Sequence, residues 1–331
     1  MTKTTFNSPA SAIGLGCMGM SAMYGASDDA TSIATIHAAM EAGISLLDTG
    51  DFYGSGDNEM LIAKAIPGKR DRVELSVKFG ALRSPDGGWT GVDGRPQAVK
   101  NFLTYSLKRL GTDYIDIYRP ARLDPNVPIE DTIGAIADMV KAGYVRKIGL
   151  SEVGAETIRR AHKVHAIADL QIEYSLLSRA PEAAIFPTLR ELNIGVTAYG
   201  VLSRGLLSGS KPTGPTDFRA YLPRFNGDAF LANQKLVDVL NTIAANMPNQ
   251  TQLNATHIAI AWVLAKGKQQ GTNIAPIIGS RTPAQLSEVL RALQVTLTVN
   301  DIAAIEAAIP ADAVVGGRYS AEHMAGLDSE K

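Results

Sequence analysis

The chain has 331 residues, a length at which a sandwich or an α/β barrel often forms one domain, so size alone does not divide it. Its 32 basic and 33 acidic residues nearly cancel, which leaves no electrostatic footprint for nucleic acid or an anionic membrane and favours a small neutral ligand. The single cysteine, Cys17, excludes an intrachain disulfide and offers no metal-ligand cluster, so a metal-free site in a reducing, cytoplasmic setting is expected.

Met1 to Pro9 is polar and lacks the basic and then apolar pattern of a signal peptide. Beyond it, short apolar runs alternate with amphipathic segments, and this βαβα rhythm predicts a parallel sheet with helices packed outside it. Eight candidate strands follow in order: Ala12–Gly16, Ile44–Asp48, Val73–Lys78, Tyr114–Tyr118, Lys147–Ser151, Ala168–Glu173, Ile194–Tyr199 and Ile274–Gly279. Eight is the number that closes a (β/α)8 TIM barrel, so residues 1–331 read as one α/β barrel domain. Between the first two runs, Ile33, Ile36, His37 and Met40 repeat at helical spacing after the cap Asp28-Asp29 and before Gly43. Val99, Phe102, Leu103, Leu107 and Leu110 repeat the pattern between Pro96 and Gly111. From Ser208 to Asn226 the rhythm breaks around Lys211-Pro212-Thr213-Gly214-Pro215, and a mobile flap is expected there. The longest apolar run, Ile258 to Ala265, is too short to cross a bilayer.

Asp48 and Lys78 close two of the apolar runs, and Tyr53 lies in the loop after the first. In a parallel barrel, catalytic side chains come from the carboxyl ends of different strands, because the βα loops there form one concave face. A carboxylate, a phenol and an amine gathered on that face can form a relay: the amine perturbs the phenol's pKa, and the carboxylate orients the amine. Such a phenol can hand a proton to a carbonyl oxygen that is receiving a hydride. Taken singly, Asp48 reads as a turn cap, Lys78 as a solvated cation and Tyr53 as a surface aromatic; their joint placement favours reductase chemistry.

At these residues the chain resembles the aldo-keto reductases. The match runs in order from Gly14-Leu15-Gly16-Cys17-Met18 through Asp48-Thr49, Tyr53-Gly54 and Glu59 to Lys78, and then through Ile148-Gly149-Leu150-Ser151, Gln171, Tyr199 and Gly279-Ser280-Arg281. The resemblance implies a barrel that binds NADPH extended across its carboxyl face, with Tyr53 as proton donor, Lys78 lowering its pKa and Asp48 pairing with Lys78. It implies further that Gly16, Cys17 and Met18 lie beneath the nicotinamide, that Ser151 and Gln171 hold the carboxamide and that Tyr199 stacks on the ring. Ser203, Arg204, Gly205 and Leu207 would line the pyrophosphate, while Gly279, Ser280 and Arg281 would take the 2′-phosphate, with Gln285 and Glu288 near the adenosine. A guanidinium beside a helix N-terminus suits that phosphate and favours NADPH over NADH; the bland alternative for these last residues is a capped surface helix. Gly14-Leu15-Gly16-Cys17-Met18-Gly19 also satisfies the dinucleotide fingerprint, but no helical stripe follows it, so it reads as the first barrel strand.

The chain departs from the family where most members carry a histidine after the third catalytic strand; Ala121 stands there, and none of His37, His162, His165, His257 and His323 lies near an expected strand end. Glu152 replaces the asparagine usual after the serine, and Val289 the one usual after Glu288. Ala121-Arg122 together with Ser151-Glu152-Val153 looks like the pyridoxal reductase branch, and the phenolic hydroxyl of pyridoxal could donate to the carbonyl in place of the imidazole. Trp89, Arg122 and Phe225 are the candidate substrate contacts, against a plain anchoring role in loops. The expected activity is NADPH-dependent reduction of a small-molecule aldehyde or ketone by a monomer or small homo-oligomer. Its rivals are an NADPH-binding regulatory barrel, favoured by Ala121, and alcohol oxidation with NADP⁺ at the same site.

Overall fold

Eight parallel strands close on one another in the computed structural model, which describes residues 12–21, 23–25, 27–214, 217–247 and 252–331. In chain order the strands are β1 (Gly14–Gly16), β2 (Leu46–Gly50), β3 (Glu74–Phe79), β4 (Ala81–Arg83), β5 (Trp89–Val92), β6 (Ile115–Pro120), β7 (Val145–Ser151), β8 (Ile167–Glu173), β9 (Gly195–Tyr199) and β10 (Ile274–Gly279). The short strands β4 and β5 pair only with each other as an antiparallel hairpin; the rest run β1-β2-β3-β6-β7-β8-β9-β10 and back to β1. The fold is the expected TIM barrel. The strand at Ile44 begins two residues late, because the Ile44 N–H bonds the Ala39 carbonyl at 2.9 Å to close the preceding helix. The hairpin was not anticipated, since its glycine-rich sequence carries no alternating apolar pattern.

The helices are α1 (Asp29–Glu41), α2 (Asp57–Ala65), α3 (Pro96–Leu110), α4 (Ile129–Lys141), α5 (Ala155–Val164), α6 (Ile185–Glu191), α7 (Gly227–Ala245), α8 (Ala255–Gln269), α9 (Pro283–Arg291), α10 (Val299–Ala308) and α11 (Ala321–Ala325). Their punctuation follows the sequence. Asp28 accepts from the Thr31 N–H at 2.8 Å as the cap of α1, an interaction worth about 1 kcal/mol. Gly111 ends α3 at φ +62°, a conformation that favours glycine. Leu47, Leu75, Val77, Ile148 and Leu170 are buried between strands and helices. After Gly14 and Gly16 the chain makes one turn of 3-10 helix, Met18–Met20, and α1 starts only at Asp29, so the glycine motif opens no dinucleotide helix.

The stretch from Ser208 to Asn226 does break the rhythm; Pro215 and Thr216 of the expected flap lie outside the described residues, Ser208, Gly209, Lys211 and Thr213 are exposed, and the part from Asp217 to Phe225 is packed. Short 3-10 turns at Phe218–Tyr221 and Pro223–Phe225 bury Arg219, Arg224 and Phe225, and Asp217 holds Arg219 through bonds of 3.0 and 2.7 Å. Among the described residues, no helix is long and apolar enough to cross a membrane, and no group of side chains is arranged to hold a metal ion.

The barrel lumen is polar toward the carboxyl end. Asp48 on β2 accepts from Gln171 on β8 at 2.7 Å; these strands are not neighbours, so the bond crosses the interior. Arg119 on β6 donates to Asp169 and to Ser76, both at 3.0 Å, and Ser76 in turn donates to Asp48 at 2.9 Å. Thr197 donates to the same oxygen of Asp169. Gly149 on β7 leaves room for this chain, since a Cβ there would lie 2.7 Å from Asp169 Oδ1 and 3.0 Å from Arg119 Cζ. Gly149→Ala is therefore expected to cost about 1–3 kcal/mol through overpacking. The check is a lower urea midpoint with an unchanged slope; a parental midpoint would mean that the lumen is loosely packed.

Candidate active site

The barrel places Asp48 and Lys78 near the carboxyl ends of β2 and β3 and Tyr53 at the start of a tight turn, Tyr53–Gly56, after β2. That turn holds Gly54 at φ +56° and Gly56 at φ +106°, so α2 can begin at once and the Tyr53 ring stays over the barrel end. Lys78 Nζ donates to Asp48 Oδ2 at 2.7 Å, and the other Asp48 oxygen accepts from Ser76 and Gln171. The Lys78 ammonium lies 5.0 Å from the centre of the Tyr53 ring. The three groups expected to meet are thus together, and all three are buried.

Burial sets the protonation of this cluster. It depresses the Lys78 ammonium, with Asp48 opposing the shift and Arg119 adding to it. It raises the Tyr53 phenol well above its usual value, helped by the charge of Asp48, while the opposing cation is Arg122. Sequence reasoning passed over Arg119, Asp169 and Ser76, yet one signal was present: alternation along Ile117-Tyr118-Arg119 sets a fully buried arginine on the inward face with Ile117.

The positions expected to contact a nucleotide fall into two groups. Ser151 Oγ and Ser280 Oγ are buried and have no hydrogen-bond partner among the described residues, an arrangement that invites a polar ligand atom. Gly279 is exposed beside Ser280, and Arg281 donates from Nη1 to the Tyr24 carbonyl at 2.9 Å. The others are engaged within the protein. Gln171 bonds Asp48, Gln285 accepts from the Arg281 N–H at 2.9 Å, and Glu288 takes Asn254 at 2.8 Å and Arg291 at 3.1 Å. Gly16 packs so closely that a Cβ would be 2.9 Å from Ile277; Cys17 is fully buried, and burial pushes its thiol far up; Met18 is half-buried beside it. Ser203, Arg204 and Gly205 carry successive positive φ angles of 47°, 55° and 93°, and Leu207 is buried behind them.

A segment that drew no attention in the sequence lies across the same face. Arg318 donates two hydrogen bonds to the Glu152 carboxylate, at 2.6 and 3.0 Å, and also reaches Glu330 at 2.6 Å. Burial raises the Glu152 carboxyl, but the Arg318 guanidinium, with Arg122 and Ser329, holds it down to about 2. Tyr199 donates to Glu152 at 2.7 Å, and the Tyr319 and Tyr199 hydroxyls are 3.1 Å apart. Arg204 bonds Glu173 at 2.9 Å and the Arg318 carbonyl at 3.0 Å, with its guanidinium 4.5 Å from the Tyr319 ring centre. The sequence signal was Glu152 in place of the usual asparagine; in the structure its backbone sits at φ +53°, unusual for a non-glycine residue.

The sequence pattern of the Aldo/keto reductase family matches residues 12–310. The chain belongs to this family. It is an aldo/keto reductase, and so an NAD(P)-dependent oxidoreductase. A glycerol dehydrogenase from Gluconobacter oxydans shares 25% identity over 91% of this chain and 93% of its own, with a TM-score of 0.79. An aldo-keto reductase from Bacillus halodurans, solved in its holo form, shares 27% over 91% and 92%, with a TM-score of 0.73. An aldo-keto reductase from Klebsiella pneumoniae, solved in complex with NADPH, shares the fold at 23% identity over 90% and 91%, with a TM-score of 0.68.

Around Tyr53 this aldo/keto reductase builds an aromatic row: Phe52 meets Tyr53 edge-on at 4.8 Å, and Trp89 of the hairpin meets Phe52 edge-on at 6.2 Å. Phe225 is elsewhere in its contacts, stacked on Phe230 at 6.3 Å and near Arg219. The histidines serve helices: His37 bonds the Ala65 carbonyl, His162 accepts from Ile167, His165 faces the Ala166 carbonyl, His257 completes the α8 capping box, and His323 contacts Ser320. In the loop before Tyr53, burial and then the charge of Glu59 push the Asp51 carboxyl up to about 7. From its usual 3.8 to about 7, the folded protein keeps a proton that the unfolded chain has lost, so this group makes stability fall as pH rises through that window. Asp51→Asn should gain stability over the parent progressively across the window and hold the gain above it. Urea midpoints at several pH values check this; a difference that does not change with pH would overturn it.

Proposed function

We propose that this chain is an NADPH-dependent carbonyl reductase that converts an aldehyde or ketone to its alcohol, with Tyr53 as the proton donor. The observation that carries the reading is the buried Asp48–Lys78 pair, closed at 2.7 Å and set beside the Tyr53 ring. Bound NADPH would supply the hydride. The Tyr53 O–H donates its proton to the carbonyl oxygen as negative charge develops there, and the nearby Lys78 ammonium stabilises the phenolate that remains. Asp48, held by Ser76 and Gln171, keeps that ammonium in place. The unpartnered Ser151 and Ser280 hydroxyls fit a dinucleotide with polar groups at both ends, and Arg281 beside Ser280 suits the 2′-phosphate.

Pyridoxal is the proposed substrate, on the strength of Ala121-Arg122 and Ser151-Glu152-Val153. Trp89, Arg122 and Phe225 are the proposed substrate contacts. The chain is proposed to act as one barrel domain in the cytoplasm, as a monomer or small homo-oligomer. The Gluconobacter relative is named as a glycerol dehydrogenase, which supports alcohol oxidation with NADP⁺ as the reverse use of the same site. A regulatory barrel with weak turnover is the second reading, favoured by Ala121 and by the engagement of Tyr199 and Arg204 with residues 318–319.

Tyr53→Phe should lower carbonyl-dependent NADPH oxidation by about 10²–10⁴-fold while NADPH still binds by calorimetry. Full activity in that variant would remove Tyr53 as donor, and negligible parental turnover on every aldehyde tried, with tight NADPH binding, would favour the regulator. Arg281→Ala should weaken NADPH far more than NADH; equal losses for the two would remove the 2′-phosphate assignment.

A further inference from the structure

Ala121 follows the last residue of β6, and its N–H bonds the Phe79 carbonyl at 2.8 Å, so the strand pairing that sets Lys78 opposite Arg119 continues to it. Its buried methyl has no hydrogen to donate to a substrate. The next side chain does. Arg122 curls back over its own strand end, where Nη1 donates to the Ala121 carbonyl at 2.6 Å. Nη2 reaches the Tyr319 hydroxyl at 3.2 Å, which lies 3.1 Å from the Tyr199 hydroxyl. Tyr199 closes β9, and two strands separate β9 from β6, so this guanidinium leans across the barrel mouth.

No carboxylate among the described residues lies within ion-pair distance of it, although the charge of Glu152 acts on it from farther off. Arg204, Arg224 and Arg318 at the same mouth each lie within 4.0 Å of a carboxylate, at 2.9, 3.7 and 2.6 Å; among the described residues, Arg122 has no such ion pair. Two of its nitrogens make the bonds just described, out of about five N–H donors that a guanidinium carries. None of its atoms is a buried donor without a partner, in contrast to Arg119 Nε in the sealed lumen.

We propose that Arg122 supplies the donor that Ala121 lacks: its guanidinium binds the carbonyl oxygen of the substrate across from the Tyr53 hydroxyl and stabilises the charge that develops there. The inference rests on the carbonyl-reductase reading above. It differs from assistance by the substrate's own hydroxyl, because a donor in the protein serves every aldehyde, with or without a neighbouring phenol. The electrostatics agree, since Arg122 is the cation that opposes the upward shift of the Tyr53 phenol.

The test compares the parent, Arg122→Met, Arg122→Ala and the double variant Ala121→His with Arg122→Met, using pyridoxal and benzaldehyde with NADPH. Arg122→Met is expected to lower kcat about 10²–10³-fold on both aldehydes, the loss found when one oxyanion donor is removed, with NADPH affinity by calorimetry near the parental value. It should also move the phenol's kinetic pKa upward, which a purely structural role would not do, and Ala121→His should restore at least about tenfold of the lost rate. Arg122→Ala, which also removes every donor, carries the same expectation if the methionine variant does not fold. A parental kcat in either single variant overturns the proposal, and so does a loss on benzaldehyde alone, which would return the role to the substrate's hydroxyl. Absent turnover in the parent would instead count against the carbonyl-reductase reading, so the two failures are distinct.

Discussion

Putting an ammonium and a carboxylate into a closed barrel costs several kcal/mol per ion unless every remaining lone pair and proton finds a partner. On the carboxylate side, Ser76 and Gln171 both donate to the Asp48 oxygen that Lys78 does not take, and Ser76 is itself held by Arg119, whose other end is held by Asp169. The chain of bonds joins β2, β3, β6 and β8. Such a chain exists only if the strands close into a cylinder, because the Asp48–Gln171 bond spans the interior. The barrel is thus what allows the charges to be buried, and their burial is what fixes the amine beside the phenol.

Much of this was legible in the sequence. The apolar runs that end in Asp48 and Lys78 set both side chains on the same rim once eight strands are counted, and Tyr53 follows from its distance along the loop. Helix ends were equally clear, because Asp28 and Gly111 act locally. The lumen was less legible: an arginine in a strand looks the same whether it faces water or Asp169, and only the register decides. The hairpin around Trp89 is not legible because, of its strand residues, only Ala81 is buried, which leaves no alternating apolar pattern. Glu152 stood out as a departure, but its partner is 166 residues away in Arg318, a distance at which nothing local connects them.

The mouth above the lumen carries its own charge arrangement. Glu173 lies 2.9 Å from Arg204, 3.7 Å from Arg224 and 3.6 Å from Arg318, so one buried carboxylate anchors three elements far apart in the chain. Glu152 and Glu330 add two more anions around Arg318. Arg318, Tyr319, Ser329 and Glu330 therefore belong to the wall of the site. Two tyrosine hydroxyls, from Tyr199 and Tyr319, join that wall to the rim of β6 through Arg122.

The aromatic row beside Tyr53 has an optical consequence. The protein has two tryptophans, and their surroundings are opposite: Trp262 is fully buried under Tyr174, while Trp89 is 44% exposed at the end of the row that runs through Phe52 to Tyr53. Emission from the indole in the core should be blue-shifted and indifferent to solvent quenchers, and emission from the indole at the rim should be red-shifted and open to them. The two signals can therefore be separated without a label, one tracking the integrity of the barrel and the other the occupancy of its mouth.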